Sequence, residues 1–230
     1  MIRESFDREL RRLVDEVLVL GSMVEDALTD SVQALKARDH EAARELVAQD
    51  RSINRRRYEI EADALTLIAT QQPMAVDLRM IAAVLDLSSE LERIGDYAKG
   101  IAKIDLMMGE ERWTKPLIDL PVMASKAAGM LDEALEAFAR QDSVMARRIP
   151  PRDDEVDRLY DQVYRELIDL IMAEPGRIEQ ANYFLWVAHN LERAADRVTN
   201  ICERVVFTAT GELTELDAEE GQRIAVEALE

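Results

Sequence analysis

Leu91-Glu92-Arg93-Ile94-Gly95-Asp96 recurs as Leu191-Glu192-Arg193-Ala194-Ala195-Asp196, one hundred positions later in the chain. Both read L-E-R-x-x-D. On an α-helix a Glu and an Asp four residues apart stand one above the other on one face. Each motif therefore offers a pair of carboxylates, a two-armed oxygen site made in duplicate. Spacing alone proves little, because 47 acidic residues in 230 give roughly ten such pairs by chance. Repetition is the stronger signal. The register continues to Ile101 and Ile201, and upstream an offset of 103 aligns Asp39 with Asp142, Ala43 with Ala146, Arg44 with Arg147, Asp50 with Asp153 and Ile53 with Val156. Two copies of one unit of about a hundred residues account for both registers.

The elements that must position these motifs are helices. With 48% hydrophobic residues but only 8 Gly and 6 Pro, the chain has a core's worth of apolar side chains and little turn material for a β fold. A first helix is expected after Ser5, carrying Leu10, Leu13, Val14, Val17, Val24, Leu28, Val32 and Leu35 and ending near Ala37. Asp39 is a good N-cap for a second, which stops at Gln71-Gln72-Pro73 because proline lacks an amide and constrains its predecessor. A third then runs through Leu78, Ile81, Leu91 and Ile94 to about Met107. The stretch from Gly109 to Pro121 reads as the connection between repeats. The second copy should have helices from about Val122 to Ala139, from an Asp142 or Ser143 cap to about Ala173, and from about Arg177 to Thr210, with Pro150-Pro151 breaking or kinking the middle one. The expectation is an all-α protein of two tandem three-helix bundles related by internal pseudo-twofold symmetry. Its parts are residues 1–108, residues 109–212 and a tail, 213–230, frayed or briefly helical.

Hairpin geometry then levels the motifs. From Pro73 it is about 22 residues back to Asp50 and about 21 forward to Glu92 and Asp96, which at 1.5 Å per residue is nearly the same height. Asp50 and Asn54 are themselves four apart, as are Asp153 and Asp157, which the hairpin at Pro175-Gly176 levels with Glu192 and Asp196. Each repeat thus gathers about four oxygen-bearing side chains, hard ligands suited to Mg, Ca, Mn or iron. The plainer alternative is a solvated acidic face whose carboxylates pair with neighbours such as Arg93 and Arg193 for a few tenths of a kcal/mol. The Glu-x-x-His of di-iron oxidases is absent, since Ala37 and Trp186 stand three before His40 and His189. His189 reads as a packing or hydrogen-bonding residue, His40 as a helix-start surface residue, the methionines as core, and Tyr97 and Arg197 as supporting or surface groups. Asp77 and Arg79, near the hairpin, read as shaping its turn.

Other chemistry is poorly provided for. The chain has no Gly-rich phosphate loop, no G-x-S-x-G and no zinc-spaced Cys and His, and its lone Cys202 falls on an apolar helical face as a buried thiol. A net charge of −18 disfavours nucleic acid and anionic lipid and favours basic partners or cations. The start lacks a signal-peptide core, no apolar run is long enough to span a bilayer, and the single cysteine fits a reducing compartment, so a cytoplasmic location without direct membrane insertion is expected.

Gln72-Pro73-Met74-Ala75-Val76-Asp77-Leu78-Arg79, followed by the two L-E-R-x-x-D copies, resembles the PhoU family of bacterial phosphate-uptake regulators over nearly the whole chain. The second copy departs by having Ala194-Ala195 for Ile94-Gly95, and Asn54 stands where the other repeat has Asp157, so the first-repeat site is expected to be weaker or differently composed. The resemblance implies a non-catalytic, cytoplasmic negative regulator of phosphate uptake and of the phosphate-starvation response. Such a protein would be a metal-binding adaptor between the ATPase subunit of a phosphate ABC transporter and a sensor histidine kinase, and a homodimer. It also implies multinuclear metal clusters, of iron or manganese with Mg or Ca as weaker occupants. Glu92, Asp96, Glu192 and Asp196 are the leading ligands, and Asp50, Asn54, Asp153 and Asp157 the next. The alternatives are a carboxylate-cluster protein for metal storage or hydrolysis, against which the lack of histidine ligands and of any base or nucleophile set weighs, and an accessory protein of a non-ABC phosphate transporter.

Overall fold

A computed structural model describes residues 2–109 and 119–216. Their helices are α1 (Ile2–Ala37), α2 (His40–Gln71), α3 (Val76–Met108), α4 (Asp119–Arg140), α5 (Ser143–Arg147), α6 (Asp153–Ala173) and α7 (Ile178–Thr210). Helices α1 to α3 form one three-helix bundle. In the second, α4 and α7 are joined by a middle helix that is broken into α5 and α6, so the six-helix, two-bundle plan holds. Most of the expected connection between repeats, 110–118, and most of the tail, 217–230, lie outside the described residues. Residues 211–216 are irregular rather than helical, and Leu216 is buried with its amide donating to Glu203 Oε1 at 3.0 Å. No helix among the described residues is long and apolar enough to cross a membrane.

The two copies turn their first corner in the same way. Arg38 and Gln141 take left-handed φ of 59° and 53°, and the next amide reaches back across the helix end, from Asp39 to the Ala34 carbonyl and from Asp142 to that of Ala137, each at 2.9 Å. This is the Schellman ending without its usual glycine. Asp39 then accepts from the amides of Glu41 and Ala42, and Asp142 from those of Val144 and Met145, satisfying donors that the new helix leaves orphaned. Beyond the corner the copies diverge. Pro150 and Pro151 have no amide to donate, so the middle helix breaks into α5, a 3-10 turn over Pro150–Arg152 and α6. In the first copy α2 runs on through the corresponding Val47 and Ala48.

The bundles share one core. Leu91, Ile94, Leu191 and Ala194 of the repeated motifs are at most 1% exposed and join a single apolar cluster reaching from Leu13 and Leu28 of α1 to Phe138 of α4 and Ile201 of α7. Helices α3 and α7 pack against each other, and α1 against α4. Along the α3–α7 seam Asp86 pairs with Arg204 at 3.1 Å, Glu90 accepts from Arg197 at 3.4 Å and Asn200 at 3.3 Å, and Gly100 lies beside Asn190. Partner numbers fall as those of α3 rise, so the two helices are antiparallel. The L-E-R-x-x-D motifs therefore meet back to back. Their Leu and x-x positions fill the core, and Glu and Asp are left on the outer faces of the α2–α3 and α6–α7 hairpins.

Close packing of each hairpin at this level explains a sequence difference between copies. A Cβ on Gly95 would stand 3.3 Å from two carbons of Ile53, whereas the second copy sets Ala195 at the equivalent place and the smaller Val156 opposite. The methyl group has moved from one helix to the other, which conserves volume.

Candidate functional site

In the first repeat, α2 brings Asp50 and Asn54 to the level of Glu92 and Asp96 on α3, as the hairpin count requires. Asp50 is only 6% exposed. Its Oδ2 accepts from Lys99 Nζ at 2.8 Å and from Asn54 Nδ2 at 3.0 Å, and the same ammonium reaches Asp96 Oδ1 at 3.1 Å. A lysine of the protein thus sits among these oxygens, and its two carboxylate partners hold its pKa above the ordinary value against the effect of burial. Glu92 is pushed up by burial first and by Asp96 next, with Arg57 opposing. Arg57 in turn pairs with Glu61 at 3.1 Å. Lys99 escaped the sequence reading because Asp50 is 49 residues away; the available signal was Lys three after Asp96, where the second copy has Thr199.

The second repeat gathers the equivalent acids, with Asp157 in place of Asn54, and has no lysine at the position of Lys99; Arg193 lies 4.0 Å from Asp196. Asp153 is pushed up to about 7, by burial first and then by Asp157, Asp196, Glu192 and Asp154. Asp157 is also raised, by burial and then Asp196, and Glu192 by burial and then Asp196. Asp153 Oδ1 and Glu192 Oε2 are buried with no hydrogen-bond partner, although His189 Nδ1 lies 3.4 Å from the latter. Thr199, at the position equivalent to Lys99, has an unpartnered buried hydroxyl. Asp153, Asp157, Asp196, Glu203, Arg193 and Arg197 are among the residues around an open depression of about 550 Å³.

The expected multinuclear metal clusters are not supported. Among the described residues no group of three or more His, Cys, Asp or Glu converges as a metal site. The helical rise fixes the height of Glu92, Asp96, Asp50 and Asn54, and of Glu192, Asp196, Asp153 and Asp157, but not whether their oxygens meet at one point. In the first repeat an ammonium already bridges two of the acids, and Asn54 is neutral; in the second the carboxylates are neighbours that do not converge.

Other candidates find their places. Arg193 and Arg197 reach across the α3–α7 seam to Tyr97, and although burial pushes its phenol up, the two guanidiniums bring it below its ordinary value. Arg93 pairs with Glu90 at 2.9 Å, so the seam joins both repeats through one polar set. Asp77 pairs with Arg3 at 2.7 Å, tying the hairpin turn to the start of α1. Cys202 is fully buried and burial pushes its thiol up, which keeps it inert. His40 is less superficial than expected: its Nδ1 is 3.2 Å from Asp105, a fully buried acid the sequence reading passed over.

Two stability tests follow from the unequal centres. Lys99→Met should destabilise the protein by about 1–3 kcal/mol by leaving the Asp50 carboxylate without its cation, and adding Asp50→Asn should restore most of the loss in urea unfolding. For Asp153 the folded value is above the unfolded one, 3.8, so the folded state keeps a proton that the unfolded state has released. Its contribution is present at low pH and is lost as pH rises through that window to about 7. Asp153→Asn should therefore raise Tm near about pH 8 and give no such gain below about pH 4.

Comparison with known proteins agrees with the internal repeat. The PhoU domain family model matches twice, at residues 17–104 and 120–205. The chain is 34% identical over 218 residues to a phosphate-specific transport system accessory protein PhoU homolog of Clostridium acetobutylicum, covering 94% of this chain and 100% of the relative. The corresponding protein of Caulobacter vibrioides is 39% identical over 210 residues, 91% of each chain. The crystal structure of the phosphate transport system regulatory protein PhoU from Streptococcus pneumoniae superposes with a TM-score of 0.86 at 33% identity, covering 92% of this chain and 100% of that one. PhoU from Pseudomonas aeruginosa gives 0.85 at 32% identity, with 90% and 100% covered.

Proposed function

The chain belongs to the PhoU family, and from that premise we propose that it is a negative regulator of phosphate uptake and of the phosphate-starvation response, an adaptor between a phosphate ABC transporter and a sensor histidine kinase. Family membership gives the coarser role, in phosphate transport regulation and signalling, and makes it regulatory rather than catalytic. The observation that supports the adaptor reading is the near-complete coverage, from both ends, of relatives named as transport accessory and regulatory proteins. A pair of bundles with different outer faces suits a protein that engages more than one partner, the transporter ATPase and the kinase, from the cytoplasm and as a homodimer. The metal-binding part of the earlier expectation is not retained.

Deleting the gene should raise starvation-gene expression or phosphate uptake in phosphate-replete medium, and the purified protein should bind the transporter ATPase or the kinase without altering either covalently. Unchanged expression and uptake in a strain with no second copy would reject the adaptor role.

A further inference from the structure

The outer face of the α6–α7 hairpin is one continuous surface with two chemical halves. Near the hairpin turn, Tyr164, Ile168 and Ile178 are 44%, 40% and 60% exposed and, with Leu167, Ile171 and Leu185, line a groove of about 420 Å³. On α6 the stripe continues from Ile171, Leu167 and Tyr164 through Tyr160 to Asp157 and Asp153, and on α7 from Ile178, Ala181 and Leu185 through His189 to Glu192 and Asp196, each at three-and-four spacing. The Tyr160 and His189 rings stand 6.3 Å apart across the middle. The apolar and acidic halves are thus centred roughly 19 Å apart along the helices.

The first repeat shows what the acidic half lacks. There the equivalent face carries Lys99 on Asp50 and Asp96, and Arg57 near Glu92. At the two corresponding positions the second repeat has Thr199 and Tyr160, and it has Asp157 in place of Asn54. Two cations present in one copy are therefore missing from the other, which carries one more acid and keeps on this side only Arg193, 4.0 Å from Asp196, and His189, 3.4 Å from Glu192. The charges around the apolar half do not replace them: Glu179 lines the groove, and nearby Arg165 and Arg177 already pair with Asp161 and Glu174 at 3.8 Å and 3.3 Å.

We propose that this face docks a helix of a partner protein whose one side presents apolar residues followed, about three and a half turns along, by Lys or Arg, the partner's cations taking the places that Lys99 and Arg57 hold in the first repeat. An exposed apolar groove marks an interaction site, and amphipathic helices seat their apolar side in such grooves. The neighbouring carboxylates add what a purely apolar groove lacks, a preference for sign and for register. The proposal rests on the adaptor reading in taking the occupant to be another protein, but its test does not depend on a deletion phenotype.

The probe is a fluorescent alanine-based peptide of about 20 residues, with leucines along one end and lysines along the other end of the same face, made in both chain directions. A control peptide of identical composition puts the leucines and lysines on opposite faces. The full-length protein should bind one of the one-faced peptides saturably and at least roughly tenfold tighter than the control. Ile168→Glu with Ile178→Glu should weaken that binding by about tenfold or more, although it makes the surface more acidic and would strengthen non-specific attraction. Asp157→Asn with Asp196→Asn should weaken it and flatten its salt dependence. Equal affinity for one-faced and control peptides, or binding undiminished by the isoleucine pair, overturns the proposal. So does a groove already filled by this chain itself, seen as binding that begins only when residues 110–118 or 217–230 are altered, or by a second copy, seen as a dimer that the isoleucine pair abolishes.

Discussion

A carboxylate drawn partly out of water at a helix contact must find a cation, share a proton or raise the energy of the fold. The L-E-R-x-x-D repeat imposes that condition twice. Its Leu and x-x positions are committed to the core, so Glu and Asp are carried to the outer faces at a height where α2 or α6 brings another acid. In the first repeat Lys99 meets the need from within the chain. In the second, Thr199 stands at the lysine position, Arg193 comes only to 4.0 Å from Asp196, and Asp153 holds its proton to about neutrality.

The seam between α3 and α7 makes the two centres parts of one object. The motifs back onto each other there, with Glu90 drawing on Arg197 and Asn200 and both arginines of the second copy reaching Tyr97. A shift of α7 that altered Glu192 and Asp196 on its outer face would also move Arg193 and Arg197 on the seam, because they share the same turns.

Much of this was legible in the sequence because it rests on local rules. Asp39 and Asp142 announced their caps, Pro150-Pro151 the broken helix, and the spacing around Pro73 and Pro175 the level at which the acids meet. What was not legible depends on direction around a helix and on distant partners. Rise per residue gives height but not convergence, which is why a metal cluster was expected and none is found among the described residues. The Lys99 contact with Asp50 joins two helices, and only the mismatch with Thr199 hinted at it. Asp105 was hidden by its neighbours Ile104 and Met108, whose apolar spacing reads as core and conceals an acid buried against His40.

What sets the second centre apart is the lack of a cation at the position Lys99 holds in the first, and the Asp153 side-chain carboxyl carbon, followed by NMR across pH in the wild-type protein and in Thr199→Lys, reads its effect. A missing cation requires a wild-type midpoint near 7 that falls toward the ordinary carboxylate range once a lysine stands at the position of Lys99, with a rise in stability at neutral pH. A wild-type midpoint near 3.8, or one that the added lysine leaves unmoved, would contradict it.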